Sequence, residues 1–326
     1  MPERSRVADP PRSVIGRLAP SPTGLLHLGH ARTFLLAWWN ARSQCGRILM
    51  RLEDLDGPRV KPDLAAAALR DLEWLGLDWD GPVHVQSDGQ ERLHRAVDQL
   101  VSQGATYPCV CSRADIRAMQ SAPQAGVSES RYPGTCRGRF TSLEEAESAT
   151  GREAGLRFLV PDGEVRLDDG FFGPHGCDVQ KQVGDFLVAR RDKTPSYQLA
   201  VVVDDAAQSV TEVLRGDDLL SSTPRQWHLQ RALGLPHPAW IHVPLVVDGA
   251  GRRLAKRCDD LSLSSLREGG TDPRAIVAWA ARSAGQRPGD RTTPREVLHA
   301  FDLSAVPHQP VVLSAQDVAA LRAARL

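Results

Sequence analysis

The stretch Arg17–Trp39, RLAPSPTGLLHLGHARTFLLAWW, decides how this chain is read. It continues an apolar run that has the composition of a short buried strand over Val14–Leu18. Pro20, Pro22 and Gly24 then make a turn. From about His27 to Ser43 the spacing becomes helical, with Leu28, Ala31, Phe34, Leu35 and Trp38 on one side. His27 and His30 are three apart where the helix begins, so they share a face. The first turn of a helix carries unpaired backbone N–H groups and positive partial charge, which suits a phosphate. Gly29 between the histidines lets a ligand approach the backbone. A bare His-x-x-His is weak by itself, and no further zinc ligands stand nearby in sequence.

Working outward, GRILMRLEDLD (Gly46–Asp56) reads as a second strand, apolar in its middle and acidic at its end. KPDLAAAALRDLEWLGL (Lys61–Leu77) reads as an amphipathic helix. Strand, helix, strand, helix implies an α/β fold with a doubly wound parallel sheet, whose ligands sit at the C-terminal ends of strands. The Pro-rich turn and the acidic strand end both fall there. Near Tyr107 the character changes to a loop-rich segment marked by cysteines, read as an insertion. Ser196–Gly216 restores strand-like runs around Val201 and Val210, Arg225–Leu235 is helical, and Ile241–Val247 is strand-like again. The remainder is short, mostly helical and alanine-rich.

With 326 residues, 25% charged and 41% hydrophobic, the composition is that of an ordinary globular protein. Net charge is formally zero, so no global basic field announces a nucleic-acid partner. The N-terminal MPERSRVADPPRS lacks the apolar core of a secretory signal, and no apolar run reaches membrane-spanning length. Six cysteines without a signal point to a reducing cytoplasm, where a Cys cluster is a metal site sooner than a disulfide framework. Neither a G-x-x-x-x-G-K-[ST] loop nor a G-x-G-x-x-G after the first strand is present. A nucleotide bound by this sheet needs another device.

RRLAKRCDDLSL (Arg252–Leu263), after a Gly-containing turn, supplies Arg253, Lys256 and Arg257. A lysine on such a loop can hold phosphates whose charge grows in a transition state. Taken with the opening stretch, this pattern is specific. APSPTGLLHLGHART resembles the His-Ile-Gly-His signature of class I aminoacyl-tRNA synthetases, with Leu28 for isoleucine, and RLAKR resembles their Lys-Met-Ser-Lys-Ser signature. RLEDLD and TEVLRGDDLLSSTPRQ are similar to the glutamyl branch of that class, and the likeness runs from about Val14 to Leu263.

The resemblance implies a Rossmann-like catalytic fold that forms glutamyl-adenylate from ATP and L-glutamate. His27, Gly29, His30, Arg253 and Lys256 would bind ATP, with His27, His30 and Lys256 as the catalytic groups and Mg²⁺ carried on the phosphates. Arg17, Leu18, Ala19, Pro20, Ser21, Glu53, Tyr197 and Arg215 would line the glutamate pocket. Charge logic agrees: two carboxylates call for cationic forks and an ammonium calls for one acid. Arg17 is assigned the side-chain carboxylate and Glu53 the α-ammonium. Cys109, Cys111 and Cys136 leave a tetrahedral zinc one ligand short. The resemblance supplies the fourth, Tyr132, in a C-x-C…Y-x-x-x-C pattern, so one structural Zn²⁺ is expected.

The expected organisation is residues 1–95 and 186–245 as the two catalytic halves, 96–185 as a zinc-bearing insertion, and 246–326 as a signature-loop and helical region without an anticodon-binding domain. After Lys256 the chain runs only to Leu326, which leaves no room for such a domain. That matches the short glutamyl paralogues, which activate glutamate without tRNA and pass it to queuosine, the modified wobble base of tRNA(Asp). The partners expected are ATP, L-glutamate and queuosine-bearing tRNA(Asp), with no membrane and a monomeric, cytoplasmic enzyme. Arg190, Arg191 and the insertion are candidate contacts to stem phosphates. Two alternatives use the same features: a short enzyme charging the 3′ end of tRNA(Glu), and a noncatalytic tRNA-binding module. Departures from the branch are Lys193, where glycine is common, and Arg253 and Ala255 within the second signature.

Overall fold

A computed structural model describes residues 13–57, 60–119, 131–254 and 261–326. Strands β1 (Ile15–Leu18), β2 (Arg47–Leu52) and β3 (Val83–Val85) form a parallel sheet in that order. Leu18 stands opposite Met50, and Leu52 opposite Val85. Helix α1 (Leu28–Ser43) joins β1 to β2, and α2 (Pro62–Trp74) lies between β2 and β3. The expected one-sided helix at α1 is in fact buried around most of its circumference. Leu35, Leu36, Trp38, Trp39, Asn40 and Ala41 are all inside, because a helical layer packs over its outer face. Trp39 Nε1 donates to the Pro294 carbonyl at 2.9 Å, and the fully buried Arg32 donates to the Pro244 carbonyl at 2.8 Å.

After α3 (Gln90–Ser102) the chain enters an antiparallel unit. Strands β4 (Thr106–Cys109) and β5 (Gly155–Phe158) pair, β6 (Val165–Asp169) and β7 (Gly173–Cys177) make a hairpin, and β8 (Leu187–Ala189) closes on β5. This segment has its own core, with Tyr107, Cys109, Val110, Tyr132, Cys136 and Phe140 buried together. Lys193 turns the chain at φ +63°, a left-handed conformation that favours glycine. Its ammonium lies 2.7 Å from Glu147 and 3.2 Å from the Ala154 carbonyl, contacts that a glycine would lack.

The run Val201–Val203 is helical, within Tyr197–Ala207, and not the strand its β-branched composition suggests. A short apolar run buried on all sides carries no periodicity to separate helix from strand. The chain then forms β9 (Glu212–Gly216), a helix over Thr223–Leu233, and β10 (Ala239–Val243), with β9 and β10 parallel. The Thr211 amide donates to the Ile15 carbonyl at 2.9 Å, so β9 flanks β1. The spatial order is thus β3-β2-β1 and then β9-β10, with the direction of winding reversing between β1 and β9. Such a reversal opens a crevice at the strands' C-terminal ends. No helix among the described residues is long and apolar enough to cross a membrane.

Candidate active site and metal centre

A cavity of about 290 Å³ occupies that crevice. Of the expected residues, Arg17, Ala19, His27, Gly29, His30, Glu53, Tyr197, Arg215 and Arg253 line it. Leu18 does not: it is fully buried in the apolar core. Pro20 and Ser21 do not line it either; the Pro20 carbonyl instead accepts from the Glu53 amide at 3.0 Å, tying the β1 turn to the end of β2. Lys256 lies outside the described residues. The flanks of its loop border the site. Leu254 lines the cavity, and the Leu263 amide donates to the Leu26 carbonyl at 2.7 Å.

The two histidines do something their spacing alone did not announce. His27 is the N-cap of α1, and its Nδ1 accepts from the Gly29 amide at 3.1 Å. His30 Nδ1 accepts in return from the His27 amide at 3.2 Å, so the pair makes a reciprocal cap. The rings stack with centroids 3.7 Å apart. Burial lowers the pKa of His27 to about 4, which keeps that ring neutral at neutral pH. A neutral imidazole that accepts at Nδ1 carries its proton on Nε2. Both residues therefore present Nε2–H donors, the polarity a phosphate needs.

Charge in the cavity is arranged in alternation. Arg17 Nη1 donates to the Leu214 carbonyl at 3.2 Å, and its Nε lies 3.9 Å from Asp205. Arg51, fully buried behind the cavity, sits 3.2 Å from Glu53 and 2.8 Å from Asp205. Burial pushes the Glu53 carboxyl above its ordinary pKa, while Arg51 and Arg17 pull it back. An ammonium arriving beside Glu53 adds to that pull. Arg215 projects from β9, and one of its amino nitrogens, Nη1, is buried without a hydrogen-bond partner. At the rim, Arg253 pairs with Asp218 at 3.2 Å.

The expected metal ligands also meet. The Sγ atoms of Cys109, Cys111 and Cys136 lie within 4.8 Å of one another. Tyr132 Oη is 3.4 Å from Cys109 Sγ and 3.9 Å from Cys111 Sγ, and Cys111 and Cys136 are 3.5 Å apart. Ligand atoms on a zinc tetrahedron with Zn–S near 2.3 Å stand about 3.8 Å apart, so the four donors fit one ion. Burial and the neighbouring Cys109 push the Cys111 thiol up to about 12, a cost that a dication relieves. Arg157 was not anticipated. Its Nε donates to Cys109 Sγ at 3.1 Å and its guanidinium lies 3.7 Å over the Tyr132 ring. The guanidinium would offset the negative charge that three thiolates would leave on a dication bound here. Arg190 and Arg191, considered for phosphate contacts, hold the Leu55 and Val110 carbonyls.

The profile of tRNA synthetases class I (E and Q), catalytic domain, matches residues 13–318. A protein of Symbiobacterium thermophilum named glutamyl-Q tRNA(Asp) synthetase is 46% identical over 94% of this chain and 98% of its own length. Its namesake in Nitratidesulfovibrio vulgaris is 43% identical over 92% of this chain and 95% of its own. The chain belongs to the glutamyl-Q tRNA(Asp) synthetase family. These are class I synthetase-type ligases, and this chain is an enzyme of that kind. The fold agrees. The crystal structure of a glutamate tRNA ligase from Elizabethkingia meningosepticum, in complex with its amino acid, superposes with a TM-score of 0.79 at 24% identity. It matches over 94% of this chain and 68% of that one. The glutamate-tRNA synthetase of Elizabethkingia anophelis gives the same TM-score at 25% identity, over 94% of this chain and 69% of that one.

Several residues that pack behind the cavity belong to no motif read in the sequence. Arg51 stands inside a hydrophobic strand, where a charge is costly unless paired. That placement was a usable signal. Asp205 lies on the helix read as a strand, so its direction was lost. Asp169 and His242 come from strands 73 residues apart and meet only in the fold.

Proposed function

We propose that this chain activates L-glutamate with ATP in the absence of tRNA and transfers the glutamyl group to queuosine in tRNA(Asp). In the first step a glutamate carboxylate oxygen attacks the α-phosphorus of ATP. The bond to the β-phosphate oxygen breaks and pyrophosphate leaves. In the second, a hydroxyl of the cyclopentenediol ring of queuosine attacks the glutamyl carbonyl. AMP departs and an ester remains. The observation that carries this reading is the cavity itself. It sets Arg17, Arg215 and Glu53 beside two Nε2–H donors at a helix N-terminus, with Arg253 at the rim. A zwitterionic dicarboxylate and a triphosphate match that arrangement of charge.

The protein's contribution is positioning and charge stabilisation. His27 and His30 take ATP phosphates, and Lys256 takes the pyrophosphate side. Arg17 and Arg215 take the carboxylates and Glu53 the ammonium. Mg²⁺ travels on the nucleotide. Zn²⁺ held by Cys109, Cys111, Tyr132 and Cys136 staples the insertion. The names of the relatives support queuosine-bearing tRNA(Asp) as acceptor. Glutamate-dependent exchange of pyrophosphate into ATP, measured without tRNA, tests the first step. Exchange is expected with glutamate, and its absence sinks the reading.

A further inference from the structure

Arg215 is held from behind. Its Nε donates to His242 Nε2 at 3.0 Å and its Nη2 donates to Thr223 Oγ1 at 2.8 Å, which leaves Nη1 as the guanidinium nitrogen without a partner, on a residue that lines the cavity. His242 is fully buried on β10, and its Nδ1 lies 2.6 Å from Asp169 Oδ2 at the end of β6. A neutral imidazole has one proton. An ionised carboxylate only accepts, so Asp169 keeps that proton on Nδ1 and leaves Nε2 as the acceptor for Arg215. We propose that Asp169 is a positioning residue for the amino-acid substrate. By fixing the tautomer of His242 it locks the Arg215 guanidinium with Nη1 turned to a substrate carboxylate. The proposal rests on the reading of the cavity as a glutamate site, and it makes the β6–β7 hairpin of the insertion part of that site.

The other oxygen of Asp169 supplies a sharp test. Oδ1 accepts three backbone N–H groups, those of Phe171 at 3.0 Å, Phe172 at 3.0 Å and His242 at 3.2 Å. In Asp169→Asn these donors hold the amide oxygen at that place and set the NH₂ group against His242 Nδ1. The ring must then protonate Nε2, which aims a donor at the Nε–H of Arg215. The same tautomer logic governs the aspartate of a Ser-His-Asp triad. The backbone bonds survive the substitution, so the fold does too.

Pyrophosphate exchange would be measured on wild type and Asp169→Asn with glutamate and ATP varied separately, alongside ¹⁵N NMR of the histidine tautomers. KM for glutamate is expected to rise about tenfold to a hundredfold, the loss of one hydrogen bond to a charged group. KM for ATP and the melting temperature should stay near wild type, and His242 should change from Nδ1–H to Nε2–H. His242→Gln, whose amide oxygen can still accept from Arg215, should recover glutamate affinity that His242→Leu loses. An unchanged KM for glutamate in Asp169→Asn, a wild-type His242 protonated on Nε2, or equal loss in Gln and Leu variants would each overturn the proposal. A wild-type protein inactive in exchange would count against the glutamate reading instead, and the NMR result would still decide the tautomer.

Discussion

Gly29 shows how little room the cavity leaves at the start of α1. A Cβ there would stand 3.0 Å from His27 Cε1 and 3.1 Å from its Nδ1, so the imidazole would have to give way. Gly29→Ala should therefore cost at least tenfold in pyrophosphate exchange. The better helix propensity of alanine, up to about 1 kcal/mol, works against the crowding, so the melting temperature should move by only a few degrees. A mutant that loses stability and keeps its rate would contradict this account of the glycine. His27 makes a second prediction. Its pKa is about 4 in the fold against an ordinary 6.5, so between those values the unfolded chain binds the extra proton. Stability should fall as pH drops from about 6.5 to about 4 and be insensitive to this group outside that window. His27→Asn keeps a capping oxygen and removes the titration, so melting temperature against pH should be flatter in that window. Some slope will remain, because burial also lowers His228, His237 and His242.

At the scale of elements, the insertion is organised around its four-donor cluster. Cys109 ends β4, Cys111 precedes a short helix at Arg113–Ala118, and Cys136 follows Tyr132 by one turn of chain. Removing the ion by chelation should lower the melting temperature and release one zinc per chain. Cys136→Ala should lose the metal, whereas Tyr132→Phe keeps three thiolates and should bind it more weakly. Metal analysis of reduced, purified protein that finds no zinc would end this part of the account. The elements also show what the sequence made legible. The β1-α1-β2-α2 unit could be read because two clear periodicities alternate there, and the start of α1 because a turn precedes it, but the capping role of His27 could not. The helix over Tyr197–Ala207 could not, since Val201–Val203 is apolar without a period. Partnerships such as Arg157 with Cys109, 48 residues apart, leave no local pattern. Arg17, Glu53, Tyr197 and Arg215 were found through family motifs, and Leu18, from the same motif, faces the core.

For the whole molecule, the reversal of winding between β1 and β9 explains why residues so distant in sequence share one cavity. Arg17 leaves β1, Glu53 follows β2 and Arg215 leaves β9, all at the same edge of the sheet. The antiparallel unit reaches that edge through Asp169, so the unit carrying the thiol cluster also meets the cavity's wall behind Arg215. The most direct measurement is transfer of labelled glutamate, with ATP, to purified tRNA(Asp) with and without queuosine, and to tRNA(Glu) in parallel. Nuclease digestion then locates the label. The account predicts label on the anticodon nucleoside of tRNA(Asp), and only when queuosine is present. Label on the 3′-terminal adenosine of tRNA(Glu) would contradict it.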